Sequence, residues 1–213
     1  MSRAGDLAGG GAERWLSIHD ELLRALAHAV SNRLATIAAA ASMLEAGGVP
    51  DPRVLEAVRV DAERLEGLLQ QLRQLPRRAE VALEPMLVTD ALEGAKQLIA
   101  EHPLLRGRSI RTALRGDVMP VRADPTAMIH ATGVALLAAA RLGDGPIDAE
   151  LATDGDVVRL TARCGAAPDS EDPLLPLDAM AIDWLLAESH GRAAVETDGC
   201  AFAVPTLQAS RRR

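Results

Sequence analysis

Aromatic side chains are nearly absent from this chain. Among 213 residues only Trp15, Trp184 and Phe202 are aromatic, and there is no tyrosine. A core must therefore be built from alanine, leucine and valine, which suits helices and argues against stacking of single-stranded bases on aromatic platforms. Cysteine is almost as scarce. Cys164 and Cys200 stand far apart, fit no metal-ligand spacing and read as small buried apolar residues. No stretch reaches ~18 uninterrupted apolar residues, which excludes a membrane-spanning helix from the expected elements. The opening MSRAGDLAGGGAER lacks the apolar run of a signal peptide, so a cytoplasmic protein is expected. Basic clusters are missing too: net charge is −7 and the one basic run, Arg211-Arg212-Arg213, reads as a solvated tail, so no nucleic-acid partner is expected.

What is present is a chain that can fold. It is 48% hydrophobic and 25% charged, long enough for one large domain or two small ones. Leu23, Ala27, Val30, Leu34, Ile37, Ala41 and Leu44 alternate at spacings of four and three, the seam of a long bundle-forming helix. With Ala27 and Leu34 in that seam, His28 and Asn32 fall on the wet side, one turn apart on one face. A neutral imidazole held in the open on a rigid helix is a usable nucleophile toward phosphorus; a solvated surface histidine has the same spacing. The helix is expected from about residue 12 to 46, ending at Gly47-Gly48, with a mobile glycine-rich stretch before it.

Val49-Pro50 turns the chain, Asp51 can cap the next helix and Pro52 suits its first position. That helix carries Leu55, Val58, Ala62, Leu65, Leu69 and Leu72 at the same alternation, with Arg59, Glu63, Arg64 and Glu66 outside. One hairpin cannot bury both seams. Either two copies pair into a four-helix bundle, which predicts a homodimer, or the C-terminal half covers the seam within one chain. Pro76-Arg77-Arg78 ends the hairpin. Beyond it the pattern predicts a short strand at Val81–Leu83, a helix over about 86–101, a strand over 108–114 and a helix from Asp124-Pro125 to Leu142. Strands follow over 147–153 and 157–164, then a helix over about 177–189 and strands over 193–197 and 201–205. This is an α+β sandwich with helices on one face of a mixed sheet.

This order of elements behind a histidine-bearing hairpin resembles the bacterial sensor histidine kinases, over about residues 13 to 207. His28, with Asn32 at +4 and Leu34 at +6, is similar to their phospho-accepting box. Val121-Arg122-Ala123-Asp124-Pro125 resembles the segment that opens their asparagine-bearing helix, and Glu188-Ser189-His190-Gly191 resembles their final helix end and turn. The departures fall on the nucleotide site. Where kinases place asparagines for Mg²⁺ and phosphate, this chain has Ala135-Leu136-Leu137-Ala138-Ala139-Ala140. Where the adenine-reading Asp and its glycines belong, it has Arg163-Cys164-Gly165-Ala166-Ala167. The stretch Leu177-Asp178-Ala179-Met180-Ala181-Ile182 carries no glycine for a phosphate cradle, and Asp178 would repel phosphate. The acidic residue that follows the kinase histidine is replaced by Ala29.

The resemblance therefore implies a dimeric histidine phosphotransferase. Its hairpin (12–76) would form a four-helix bundle in the dimer, and a degenerate Bergerat-type, GHKL ATPase-like sandwich (80–207) would follow. His28 would accept a phosphoryl group from a receiver-domain aspartate and pass it to another. Asn32 would hold a phosphoryl oxygen or a water, and Arg24, unless an ordinary solvated arginine, would offset negative charge. No cofactor is expected on this chain; Mg²⁺ would belong to the receiver. The implied partners are a second copy, response-regulator receiver domains and a hybrid histidine kinase, with no membrane or nucleic acid. Leu22, Leu26 and Met43 are open to receiver docking or core packing. His19 competes as acceptor because it precedes Asp20, although Leu23 and Ala25 occupy its +4 and +6 positions. His102, His130 and His190 are expected to be structural or surface residues. Three other functions share the pattern: a pseudokinase scaffold, a response-regulator phosphatase using Asn32, and a kinase with an altered nucleotide site.

Overall fold

The computed structural model describes residues 3–46, 51–73, 82–165 and 172–212. Two long helices come first, α1 (Arg3–Glu45) and α2 (Pro52–Arg73). Asp51 caps α2 by accepting the Arg53 backbone N–H at 2.8 Å, as its position before a proline suggests. The linker expected at Pro76-Arg77-Arg78 lies outside the described residues.

The glycine-rich beginning is helix rather than a loose end. α1 runs through Gly9-Gly10-Gly11, and Gly10 and Gly11 let it press against a later helix, α5 (Leu175–Leu185). A Cβ on Gly11 would stand 2.5 Å from the Met180 carbonyl oxygen and 3.0 Å from Trp184 Cβ, and one on Gly10 would meet Met180 Cε. Glycine lowers intrinsic helix propensity, so tertiary packing, not local preference, holds this turn.

The rest of the chain forms β1 (Glu84–Met86), α3 (Val88–Ile99), a 3₁₀ turn (Pro103–Leu105), β2 (Ile110–Arg115), β3 (Val121–Ala123) and α4 (Pro125–Arg141). Then come β4 (Ile147–Asp154), β5 (Val157–Cys164), α5, β6 (Arg192–Glu196), β7 (Gly199–Pro205) and a short α6 (Leu207–Ser210) that periodicity did not reveal. The first strand lies at Glu84–Met86, pairing antiparallel with β3, Met86 opposite Val121 and Glu84 opposite Ala123; of the strand expected at 81–83, Ala82 and Leu83 are not in it and Val81 lies outside the described residues. The main sheet has the order β2-β4-β5-β7-β6, parallel only between β2 and β4. The architecture is thus a helical hairpin followed by an α/β sandwich.

Alternation places Ile147, Ala149, Leu151, Val158, Leu160, Ala162, Phe202 and Val204 under the helices. The opposite face carries charged pairs, Arg111 with Asp148 and Arg163 with Glu196. α4 is apolar on all sides and is the central core helix, buried without interruption from His130 to Ala140. Its entry follows from Asp124, whose Oδ1 accepts the N–H groups of Thr126 and Ala127 ahead of Pro125. Cys164 and Cys200 are both buried, as their scarcity and spacing suggest, and burial pushes the Cys200 thiol up to about 12.

The stripe of α1 that packs within the chain is not the one the heptad alternation marks. Trp15, Ile18 and Leu22 join the core of the sandwich, while Leu26 and Ala29 pack with Val30 of α1 and Leu65 of α2. Leu34 and Leu44 of the alternating seam remain half exposed, at 52% and 50%. The sandwich therefore covers a neighbouring stripe and leaves the seam open.

Candidate functional site

α1 offers three faces. One is taken by the sandwich and α2, one is the open apolar seam, and the third carries His28. On that third face His28, Asn32 and Arg24 are all exposed, spaced by one turn each. Asn32 Nδ2 lies 3.1 Å from His28 Nε2. With the amide donating, Nε2 presents its lone pair and the proton sits on Nδ1, the tautomer in which Nε2 is the nucleophile. Asn32 thus holds the ring in place and must yield, or move to an incoming oxygen, for Nε2 to react. Arg24 makes no ion pair among the described residues. The backbone around them is ordinary helix, with Ser31 and Thr36 hydroxyls donating to the carbonyls of Ala27 and Asn32.

Leu22 and Leu26 are core residues, 2% and 1% exposed, which removes them from any docking surface; Met43 is exposed. His19 is half-buried with its ring edge-on to Trp15 at 5.8 Å, a packed setting unlike that of His28. His130 is buried with its ring also edge-on to Trp15, 4.6 Å between centroids. His102 caps the 3₁₀ turn: its Nδ1 accepts the Leu104 N–H, and its Nε2 is 3.7 Å from Glu21 of α1. Burial pulls the His102 pKa below the ordinary histidine value, and Glu21 offsets that in part. His190 ends the last long helix region with φ of 54°, followed by Gly191, whose N–H returns to the Leu186 carbonyl.

The region where the kinase resemblance would put a nucleotide is built differently. Asp178 is fully buried. It accepts from Arg14 Nε at 2.7 Å and from Arg141, which also binds Asp172 at 2.7 Å. Two arginines and two aspartates thereby tie α1, the end of α4 and the start of α5 together. Arg163, which with Cys164 is one of the two residues the resemblance would put in place of the adenine-reading Asp, is exposed and paired with Glu196 at 2.7 Å. Cys164 is buried beneath Arg108, whose guanidinium donates to the carbonyls of Leu104, Ala140 and Gly145 and lies 3.2 Å from Cys164 Sγ. An open pocket of about 690 Å³ beside it is lined by Arg106, Arg108, Arg141, Asp144 and Asp172, but Arg108 and Arg141 already have protein partners. Among the described residues no group of three or more His, Cys, Asp or Glu could hold a metal ion, and no helix is long and apolar enough to cross a membrane.

Three polar joints between α1 and the sandwich were not evident from the sequence: the ion pairs of Arg14 with Asp178 and of Arg33 with Glu101, and the contact of Glu21 with His102. Arg33 Nη2 is 2.9 Å from Glu101, just beyond α3, and Nη1 is 3.1 Å from Asp61 of α2. A signal did exist. Arg14 is one turn before Ile18, and Arg33 is one turn after Ala29, both on the buried stripe of α1. A charge on the packed side of an amphipathic helix needs a partner.

No protein-family model and no curated protein matches the sequence. Solved structures with a similar course of the chain include the Acinetobacter baumannii histidine kinase AdeS, at 14% identity and TM-score 0.48, covering 87% of this chain and 97% of that one. A bacterial phosphotransferase matches at 15% identity and TM-score 0.45, with 88% and 95% covered. The histidine kinase ThkA, solved with the response regulator TrrA, matches at 18% identity and TM-score 0.43, with 92% and 64% covered. Similarity this distant concerns the layout of elements and says nothing about activity.

Proposed function

We propose that this chain is a histidine phosphotransferase of a bacterial phosphorelay, carrying phosphoryl groups between receiver aspartates through His28 and not using ATP. The observation that carries this reading is the contrast in side-chain engagement. His28 stands exposed on a helix with Nε2 presented by Asn32, while Asp178 and its two arginines occupy the ground between α1, α4 and α5.

In the forward step the Nε2 lone pair of His28 attacks the phosphorus of an aspartyl phosphate. The Nε2–P bond forms as the P–O bond to the aspartate breaks, the electron pair leaves with the carboxylate, and the Nδ1 proton passes to solvent. The reverse sequence loads a second receiver. Such in-line transfer between similar leaving groups needs positioning more than acid–base help. Mg²⁺ is expected on the receiver. Asn32 is the group that can take a phosphoryl oxygen once it releases Nε2, and Arg24 is the cation within one turn.

The half-exposed Leu34 and Leu44, on the same seam as Leu23, Val30 and Ile37, support pairing with a second copy through the hairpin. The Asn32–His28 contact also favours a second reading, a phosphatase in which Asn32 orients water toward a receiver's acyl phosphate. The test is incubation with a phosphorylated receiver, with His28→Ala and with ATP alone as controls. Label that moves to the protein, vanishes with His28→Ala and never arises from ATP is the expected result. Loss of receiver phosphate that persists in His28→Ala and stops in Asn32→Ala would establish the phosphatase instead.

A further inference from the structure

His28 lies between two attachments of α1 to the sandwich. Before it, Gly11, Trp15, Ile18 and Leu22 are packed against the sandwich helices or its core, and Arg14 is locked to Asp178. Beyond His28, Arg33 reaches Glu101 at the end of α3 and Asp61 of α2 with the same guanidinium. Its side chain is 17% exposed and its Nε is buried with no hydrogen-bond acceptor, so the joint is held in spite of an unsatisfied donor. The residue after Glu101, His102, contacts Glu21. Two consecutive sandwich residues thus grip α1 seven residues before His28 and five after it, a span of about 18 Å at helical rise.

We propose that Arg33 is a positioning residue: with Glu101 it acts as a strut that stiffens the span of α1 carrying His28, so that Nε2 is presented to the partner in one setting. The part concerning transfer rests on the phosphotransferase reading above; the strut itself does not. Arg33 points about 140° around the helix from His28 and cannot touch the reacting atoms itself. Its effect comes through the geometry of the helix, to which in-line transfer is sensitive.

The test uses the full chain with spin labels on cysteines introduced at the exposed Ser42 and Arg159, with the native Cys164 and Cys200 buried. Arg33→Met, which keeps the apolar stem, and Glu101→Gln should each broaden the label-to-label distance distribution. Each should slow transfer at saturating receiver by about tenfold with little change in the receiver concentration at half-saturation. Arg33→Lys, which can still pair with one carboxylate, should recover part of the rate. An unchanged distance distribution in both variants would overturn the strut. A broadened distribution with an unchanged saturating rate would overturn its positioning role. If the unsubstituted chain accepts no phosphoryl group, the phosphotransferase reading fails, and the distances alone then decide whether the strut exists.

Discussion

His28 and Asp178 sit on the same molecule in opposite circumstances. His28 is exposed, held by a single side-chain contact, and free to meet another protein. Asp178 is fully buried and bonded to two arginines that join three elements. An exposed, lightly tethered nucleophile costs the fold almost nothing and is available for chemistry. A buried carboxylate with all its attraction spent inside the protein serves the fold and is closed to ligands. If His28 is the acceptor proposed above, activity and stability rest on different residues, an exposed one in the middle of α1 and a buried one in α5, and substitutions should separate them.

The largest effect expected is loss of function without loss of fold. His28→Ala should abolish labelling by a phosphorylated receiver, while its unfolding free energy stays within about 0.5 kcal/mol of that of the unsubstituted protein. Asp178→Ala should do the reverse. It strands Arg14 and weakens the hold on Arg141, which keeps Asp172, and should lower unfolding free energy by about 3 kcal/mol in a urea titration. Equal sensitivity of stability to both substitutions would break the comparison.

Gly11→Ala tests the close approach of α1 and α5. Alanine is the better helix former, but its Cβ would stand 2.5 Å from the Met180 carbonyl oxygen, so a net destabilisation of about 1–2 kcal/mol is expected on thermal or chemical unfolding. A gain in stability would mean that the approach relaxes easily. Asn32→Ala should leave unfolding unchanged and alter the rate of His28 phosphorylation by about three- to tenfold, measured at saturating receiver.

The smallest effect is a pH dependence at the Glu21–His102 joint. The His102 pKa is lowered in the folded state, so the unfolded chain binds the extra proton first as pH falls. Stability should be fully present above the ordinary value of 6.5 and decline below it, until pH passes the folded value. His102→Asn, which can still cap the 3₁₀ turn, should flatten that part of a stability-against-pH curve. The same slope in the variant would assign it to other groups.

Much of the layout is legible along the chain because it depends on neighbours in sequence. The spacing of Leu23, Ala27, Val30 and Leu34 puts His28 and Asn32 opposite the seam, and both are exposed, although the stripe that packs within the chain is the neighbouring one. The starts of α2 and α4 follow from Asp51-Pro52 and Asp124-Pro125. The β4–β5 hairpin follows from alternation about Asp154-Gly155-Asp156, with Gly155 at φ of 56° where a side chain is disfavoured. Turn chemistry and helical or strand periodicity are local, and they survive into the fold.

Local pattern accounts for the hairpin helices, the succession of sandwich elements and the exposure of His28. Long-range packing accounts for the helical Gly9-Gly10-Gly11, for the burial of the stripe of Trp15, Ile18 and Leu22 beside the heptad seam, and for Arg14 and Arg33 as joints. Arg14 and Asp178 are separated by 164 positions, and although a place on the buried stripe of α1 calls for a partner, nothing along the chain says which residue it will be. Packing makes that choice, because a buried charge is stable only where another element brings the opposite one to it.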